Sequence, residues 1–135
     1  MQLTINREQR TEKNAKMESV SITKSMEFSV RIVKLYKYLI EEKKEYVLSK
    51  QLLRSGTSIG ANVREGRYAQ SKKDFISKMS IALKEAVETE YWLELLERTE
   101  YITREQYESI KKDSSEMSKI LTAIVKRTKE SIKAE

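Results

Sequence analysis

The sequence predicts an all-α protein that folds as an up-and-down antiparallel four-helix bundle. The chain of 135 residues contains no proline and only three glycines, the two residue types that interrupt helices most strongly. Apolar side chains recur every three or four residues over four segments, which is the spacing of one helix face. The connections between these segments are short, and short connections place consecutive helices side by side in antiparallel order.

The first helix is predicted over about residues 23–43, after a flexible N-terminal arm. Residues 1–22 are polar and lack a clear period, which is typical of a loosely ordered terminus. Two apolar stripes follow, one made of Phe28, Ile32, Leu35 and Leu39, the other of Met26, Val30, Val33 and Ile40. A helix in a monomeric bundle needs one such stripe, so the second predicts a broad core or a contact between subunits.

The second helix is predicted over about residues 48–67 and contains every glycine of the chain. Ser49 is the predicted N-cap, and Gly66 is the predicted C-terminal glycine. Gly56 and Gly60 lie four residues apart on one face. Glycine inside a helix costs roughly 0.5–1 kcal/mol relative to alanine, so this pair predicts the close approach of a neighbouring helix.

The third and fourth helices are predicted over about residues 71–100 and 103–132, which completes a bundle spanning 23–132. Ser71 and Thr103 are the predicted N-caps, because Asp74 and Gln106 follow them by three residues as in a capping box. The apolar stripes are Phe75, Met79, Ala82, Ala86, Thr89, Leu93 and Leu96 in helix three, and Tyr107, Ile110, Ser114, Met117, Leu121, Ile124 and Thr128 in helix four.

The composition argues against an enzyme and against a bound cofactor. The chain has no cysteine and no histidine, so thiol catalysis, Cys-based zinc sites and the commonest general base are excluded. No phosphate-cradling glycine loop is present. The acids of helix three are Glu85, Glu88, Glu90, Glu94 and Glu97. Salt bridges are their ordinary role, and an all-carboxylate magnesium or calcium site is the alternative.

The charge pattern predicts a soluble, cytoplasmic protein with a modest preference for anionic partners. The net charge is +6, and residues 46–70 carry +3 of it. The N-terminus lacks the apolar core of a signal peptide, and no uncharged run approaches the ~20 residues of a membrane span.

Helices two and three carry a pattern of residues that resembles a known family. The pattern comprises Gln51-Leu52-x-Arg54, Ser58-Ile59, Asn62-Val63-Arg64-Glu65-Gly66, Ser71-Lys72-Lys73-Asp74-Phe75, Ile81-Ala82-Leu83 and Glu88-Thr89-Glu90. It is similar to the signature of the bacterial four helix bundle proteins, also called the 23S ribosomal RNA intervening-sequence protein family. The similarity covers about residues 24–130. Gly60 departs from it where proline is common, as do Tyr91 and Trp92 where Thr-Gln is usual.

The resemblance implies a bundle that assembles as a ring-like homopentamer. It also implies kinship with the accessory variability proteins of retroelements, which bind RNA and a reverse transcriptase. Most members of the family have no established activity, and a shared fold does not by itself define function.

One basic surface, centred on helix two, is the candidate RNA-binding site. It comprises Lys50, Arg54, Arg64, Arg67, Tyr68, Lys72 and Lys73. Cations neutralise phosphates, and an exposed aromatic ring can stack on an unpaired base. The alternative is a solvated face with salt bridges between subunits.

A second group of side chains is interpreted as a structural polar network: Ser58, Asn62, Glu65, Glu88 and Glu90. Arg54 or Arg64 is the expected partner of Glu88 or Glu90, because buried polar groups are normally hydrogen-bonded. The alternative is an RNA or ligand contact at the end of the bundle.

Two functional hypotheses follow. The first is a non-catalytic, homopentameric bundle that binds structured RNA or a ribonucleoprotein through the basic surface. The alternative is a structural adaptor that docks a protein such as a reverse transcriptase, without touching nucleic acid.

Overall fold

The computed structural model describes residues 7–135, which form four α-helices joined by short loops. The helices are α1 (Arg7–Glu41), α2 (Leu48–Gly66), α3 (Lys72–Arg98) and α4 (Arg104–Lys133). Each helix packs against the next, and α4 packs back against α1. The predicted all-α, up-and-down four-helix bundle is therefore confirmed. No helix within residues 7–135 is long and apolar enough to cross a membrane.

The core of the bundle is built from the predicted stripes of α1, α3 and α4, together with the buried apolar side chains of α2. Its fully enclosed side chains include Ile32, Leu39, Leu52, Ile59, Met79, Leu93, Leu96, Met117 and Leu121. Burying one such side chain stabilises the fold by roughly 1.5–3 kcal/mol. The buried hydroxyls of Ser55, Thr89 and Ser114 interrupt the apolar packing between α2, α3 and α4. Thr89 Oγ1 lies 3.0 Å from Ser55 Oγ, and Ser114 Oγ donates to Glu90 Oε1 at 3.1 Å, so these hydroxyls have partners inside the bundle.

Helix α1 begins well before its predicted start at residue 23. The prediction of a flexible arm is wrong for residues 7–22, which are helical, while residues 1–6 lie outside the described part of the chain. Ser21 and Ser25 are buried, two turns and one turn before Phe28 on the same stripe. Their hydroxyls donate to the carbonyl oxygens of Glu18 at 2.6 Å and Ile22 at 3.2 Å. Since both side chains are polar, they concealed the helical period in the sequence.

Helix α2 is capped by a residue that differs from the predicted Ser49. The Glu45 carboxylate accepts hydrogen bonds from the backbone N–H groups of Val47, Leu48 and Ser49 at 3.1, 2.9 and 2.7 Å. The Ser49 hydroxyl is buried and donates to the Glu45 carbonyl oxygen at 2.8 Å. A carboxylate on the preceding loop thus satisfies the free N–H groups that the serine was expected to cap.

The starts of α3 and α4 follow the prediction. Ser71 Oγ accepts from the Asp74 N–H at 3.1 Å. The Thr103 hydroxyl and the Gln106 side chain each accept from the other's backbone N–H, which is a complete capping box.

The glycines of α2 serve close packing between helices. A Cβ atom on Gly56 would lie 2.8 Å from two side-chain carbons of Ile32, and one on Gly60 would lie 3.2 Å from the Ser25 carbonyl oxygen. These distances confirm the predicted close approach, and the neighbour is α1. Gly66 is the last residue of α2, as predicted, and none of the glycines has a positive φ. The absence of a side chain at Gly66 leaves room for the Met79 methyl group, which fills the space that a Cβ would need.

Candidate functional site

Positive charge is concentrated at one end of the bundle. The antiparallel helices bring residues 12–24, 60–80 and 120–135 together, as the contact of Lys72 with Glu135 and that of Met17 with Arg127 show. These segments, called here the basic end, contain twelve Lys and Arg against six Asp and Glu. Residues 25–59 and 81–119 contain thirteen Lys and Arg against fourteen Asp and Glu. The net charge of the molecule therefore lies almost entirely at this end.

The predicted RNA-binding residues are all exposed, but they divide between the two halves of the bundle. Arg64, Arg67 and Tyr68 lie at the end of α2, beside Lys72 and Lys73 at the start of α3, so these five belong to the basic end. Lys50 and Arg54 lie on the first turns of α2. Lys50 is fourteen residues from Arg64, which is about 21 Å along the helix axis.

Two of the predicted cations are already paired with acids. Arg54 contacts Glu85 at 3.3 Å and Glu88 at 2.5 Å, which ties α2 to α3. The hydrogen bond from Arg54, followed by one from Trp92, lowers the pKa of Glu88 below its ordinary value. Lys72 contacts Glu135 and donates to the Ser131 hydroxyl at 2.7 Å. The charges of Arg54 and Lys72 are thus balanced locally.

The other predicted cations lack an acid at contact distance. Among the described side chains, those of residues 9 and 12–135, no ion pair within 4.0 Å involves Lys50, Arg64, Arg67 or Lys73. Three of these four lie at the basic end. Tyr68 stands beside them with 78% of its surface exposed. Arg64, Arg67, Lys73 and Tyr68 therefore form the part of the predicted surface that is open to an anionic partner.

The predicted polar network is divided into separate pairs. Asn62 donates to the Ser58 carbonyl oxygen at 2.8 Å within α2, and Glu65 pairs with Lys78 at 3.2 Å. Glu88 faces α2 and pairs with Arg54 as expected. Glu90 faces α4, where it accepts from Ser114. Two residues correspond to about 200° around a helix, so Glu88 and Glu90 point to opposite sides of α3 and cannot share a partner.

Glu94 and Glu97 of α3 each contact an arginine. Glu94 pairs with Arg98 at 3.2 Å, and Glu97 lies 4.0 Å from Arg104. Across residues 7–135 no group of three or more acidic side chains is arranged to hold a metal ion.

A small cavity opens at the basic end, where α2 ends at Gly66 and α1 continues beyond it. Its volume is about 160 Å³. The lining includes the apolar side chains of Ile22, Val63, Phe75 and Met79, together with the polar side chains of Glu18, Ser19 and Arg67. Partial burial raises the pKa of Glu18, and the Arg67 cation opposes that shift.

Sequence reasoning missed the role of Glu18, because residues 1–22 were assigned to an arm. The signal that could have revealed it is the step of four residues from Met17 through Ser21 to Ser25, which leads to Phe28 on the core stripe. In the structure Glu18 follows Met17 on this helix and lines the cavity with Arg67.

Apolar side chains remain exposed on two helices. Met26 and Val30 on α1 are 44% and 47% exposed, and both belong to the second stripe recognised in the sequence. Val87 and Tyr91 on α3 are 70% and 56% exposed. None of the four described helices covers these positions.

The chain matches known proteins over most of its length. Residues 17–123 match the family model described as 23S rRNA-intervening sequence protein. A solved structure described as a protein of unknown function from the S23 ribosomal protein family, from Bacteroides thetaiotaomicron VPI-5482, is 67% identical. That match covers 82% of this chain and 98% of the other, with a TM-score of 0.81. No curated protein matches the chain. The sequence and the bundle together place this chain in the 23S rRNA-intervening sequence protein family.

Proposed function

We propose that this protein is a non-catalytic, homo-oligomeric bundle that binds structured RNA, alone or in a ribonucleoprotein, through its basic end. The observation that carries the proposal is the concentration of the net charge at that end, where Arg64, Arg67 and Lys73 have no ion pair within 4.0 Å among the described side chains. When such cations neutralise phosphates, counterions are released from the RNA. This release supplies most of the affinity that does not depend on sequence. We therefore centre the proposed binding surface on the C-terminal half of α2, and no longer on the whole helix.

Each exposed group of this surface suits a particular feature of RNA. Arg64, Arg67 and Lys73 can contact phosphate oxygens, and an arginine can do so with two parallel hydrogen bonds. Tyr68 can stack on a base in a loop or bulge, where bases are not already paired. A surface of this composition positions RNA by its backbone and favours structures that expose single bases.

Membership of the family supports an RNA partner by association. The family takes its name from intervening sequences of 23S rRNA. The Bacteroides relative is described as a protein from the S23 ribosomal protein family. Because one fold can serve many functions, the charge distribution of this chain is the stronger argument.

The proposed oligomer would bury the exposed apolar side chains of α1 and α3. Met26 and Val30 form one patch, and Val87 and Tyr91 form another. The resemblance implies a ring of five chains. A ring would repeat the basic end around its axis, so that several weak phosphate contacts would act together on one RNA.

A protein adaptor is the second candidate, and the same apolar patches favour it. If one patch remains open after assembly, it can dock a protein partner such as a reverse transcriptase. In that case the basic end would serve solubility and assembly only.

The test is the salt dependence of binding to a labelled structured RNA, measured by fluorescence anisotropy. The variant carries Arg64→Ala, Arg67→Ala and Lys73→Ala. Its matched control carries Lys37→Ala, Lys84→Ala and Lys112→Ala, which remove three exposed charges from the other half of the bundle. Each lost phosphate contact reduces the slope of log K against log salt by about 0.7–0.9, so we expect a slope shallower by about 2–3 in the variant only.

Two results would overturn the proposal. Absence of binding at low salt would exclude RNA as the partner and would favour the adaptor. Equal slopes in the variant and its control would place the RNA elsewhere on the molecule.

A further inference from the structure

The cavity at the basic end is the best-formed recess next to the cations proposed to hold RNA. Arg67 lines it and also belongs to the proposed RNA surface. The next residue along the chain is the exposed Tyr68. An RNA chain held by the basic end would therefore pass directly over the mouth of the cavity.

The size and floor of the cavity suit a flat aromatic ring. A cavity of about 150 Å³ with an apolar lining can hold a benzene-sized molecule, and this one measures about 160 Å³. Ile22, Val63 and Met79 offer apolar contacts, and Phe75 offers a ring for stacking. An open mouth lets the rest of a purine and its sugar remain outside. Bases of RNA are commonly recognised in this way when they leave a loop or bulge.

The four bases offer different sets of hydrogen-bond donors to a carboxylate on the rim of the cavity. An ionised carboxylate only accepts hydrogen bonds, and it accepts two when two donors stand side by side. Guanine alone presents two adjacent N–H donors, N1–H and N2–H, on its Watson–Crick edge. Adenine and cytosine place an acceptor beside their amino group, and uracil flanks its single N–H with two carbonyls. Glu18 on the rim therefore favours guanine.

We propose that this cavity receives an unpaired guanine of the bound RNA, with Glu18 accepting from its N1–H and N2–H and Arg67 contacting the adjoining phosphate. The inference rests on the proposed RNA-binding function and adds the identity of the base. The base stacks against Phe75 inside the cavity, while Arg64 and Lys73 hold the backbone outside it.

The test uses RNA hairpins that differ only in one bulged nucleotide, which is G, A, C, U or absent. Dissociation constants are measured by fluorescence anisotropy at one salt concentration, and salt slopes are measured for the same hairpins. We expect the bulged G to bind at least about tenfold more tightly than the other four, since one correct pair of hydrogen bonds is commonly worth that factor.

Two variants separate the base from the backbone. Glu18→Gln keeps the shape of the side chain but replaces one acceptor with a donor, so the preference for G should disappear while the salt slope stays unchanged. Ala15→Leu narrows the mouth of the cavity from an exposed position, where substitution carries little risk to folding. It should make all five hairpins bind alike. Gln51→Leu adds the same side chain at an exposed α2 position outside the cavity and should leave the preference intact.

The outcomes distinguish the two proposals. Equal binding of all hairpins by the unmodified protein would overturn the guanine site and leave backbone binding standing. A G preference that survives both Glu18→Gln and Ala15→Leu would also overturn it, because the base would then bind elsewhere. Absence of binding to every hairpin would overturn the RNA function and the guanine site together.

Discussion

Gly56 shows how a single missing side chain determines the spacing of two helices. The Ile32 side chain of α1 is fully buried and occupies the space above Gly56, so that α1 and α2 approach closely. The cost of a helical glycine is offset by this contact. At Gly66 the corresponding neighbour is the methyl group of Met79, which ends a flexible side chain.

We predict that Gly56→Ala destabilises the bundle although alanine is the better helix former. The new methyl group would overlap Ile32, and overpacking of a core costs roughly 1–3 kcal/mol. Gly66→Ala should stay within about 1 kcal/mol of wild type, because Met79 can rotate away and the helix gains an alanine. Urea unfolding measures both free energies. Equal effects of the two substitutions would contradict the role assigned to Ile32.

At the scale of the element, the beginning of α2 depends on Glu45. Its side chain is buried and accepts from three successive backbone N–H groups. Burial alone would raise the pKa of Glu45, but the hydrogen bonds from Leu48, Ser49 and Val47 together outweigh burial and lower it. A carboxylate that caps a helix is stabilised further by the positive end of the helix dipole.

We predict that Glu45→Gln removes a stabilising term that depends on pH. The folded pKa lies below the ordinary value of 4.5, so the ionised group stabilises the fold above 4.5 and this contribution is lost as the pH falls through the folded pKa. At neutral pH the variant should be less stable by about 1.5–3 kcal/mol, the range for hydrogen bonds to a charged group. The difference between the two proteins should shrink below pH 4.5.

Thermal unfolding from pH 3 to pH 7 measures this difference, and Glu42→Gln, an exposed position in the same loop, is the control. A constant difference between wild type and Glu45→Gln over this range would contradict the capping role.

At the scale of the whole molecule, charge and apolar surface are separated. The charge lies at one end of the bundle, whereas the exposed Met26 and Val30 lie on the side of α1. A molecule arranged in this way can associate through its sides and still present its end to an anionic partner.

We predict that Val30→Glu dissociates the oligomer without unfolding the chain. Val30 is 47% exposed in the single chain, so a glutamate there is tolerated by the fold, but an apolar interface would leave its charge unpaired. Native mass spectrometry should give the mass of five chains for wild type and of one chain for the variant. Thr122→Glu adds the same charge on an exposed part of α4 and should leave the assembly intact. A monomeric wild type would contradict the prediction.

Much of the fold could be read from local patterns. The stripes of helices three and four predicted their core faces, and the caps at Ser71 and Thr103 were recognised because their partners lie three residues away. The residue signature predicted the family. The serines on the first stripe broke the pattern, so the start of α1 was missed.

The sequence by itself determined the helical class, the faces that form the core and the family, because each depends on residues within a few turns of one another. Only the tertiary structure decided which cations remain unpaired, that Glu45 caps α2, and that Glu18 meets Arg67 at a cavity. These features depend on side chains from different helices, and the antiparallel packing that brings them together has no local signal. The concentration of charge at one end arises in the same way, since three segments with a modest excess of cations meet only when the bundle closes.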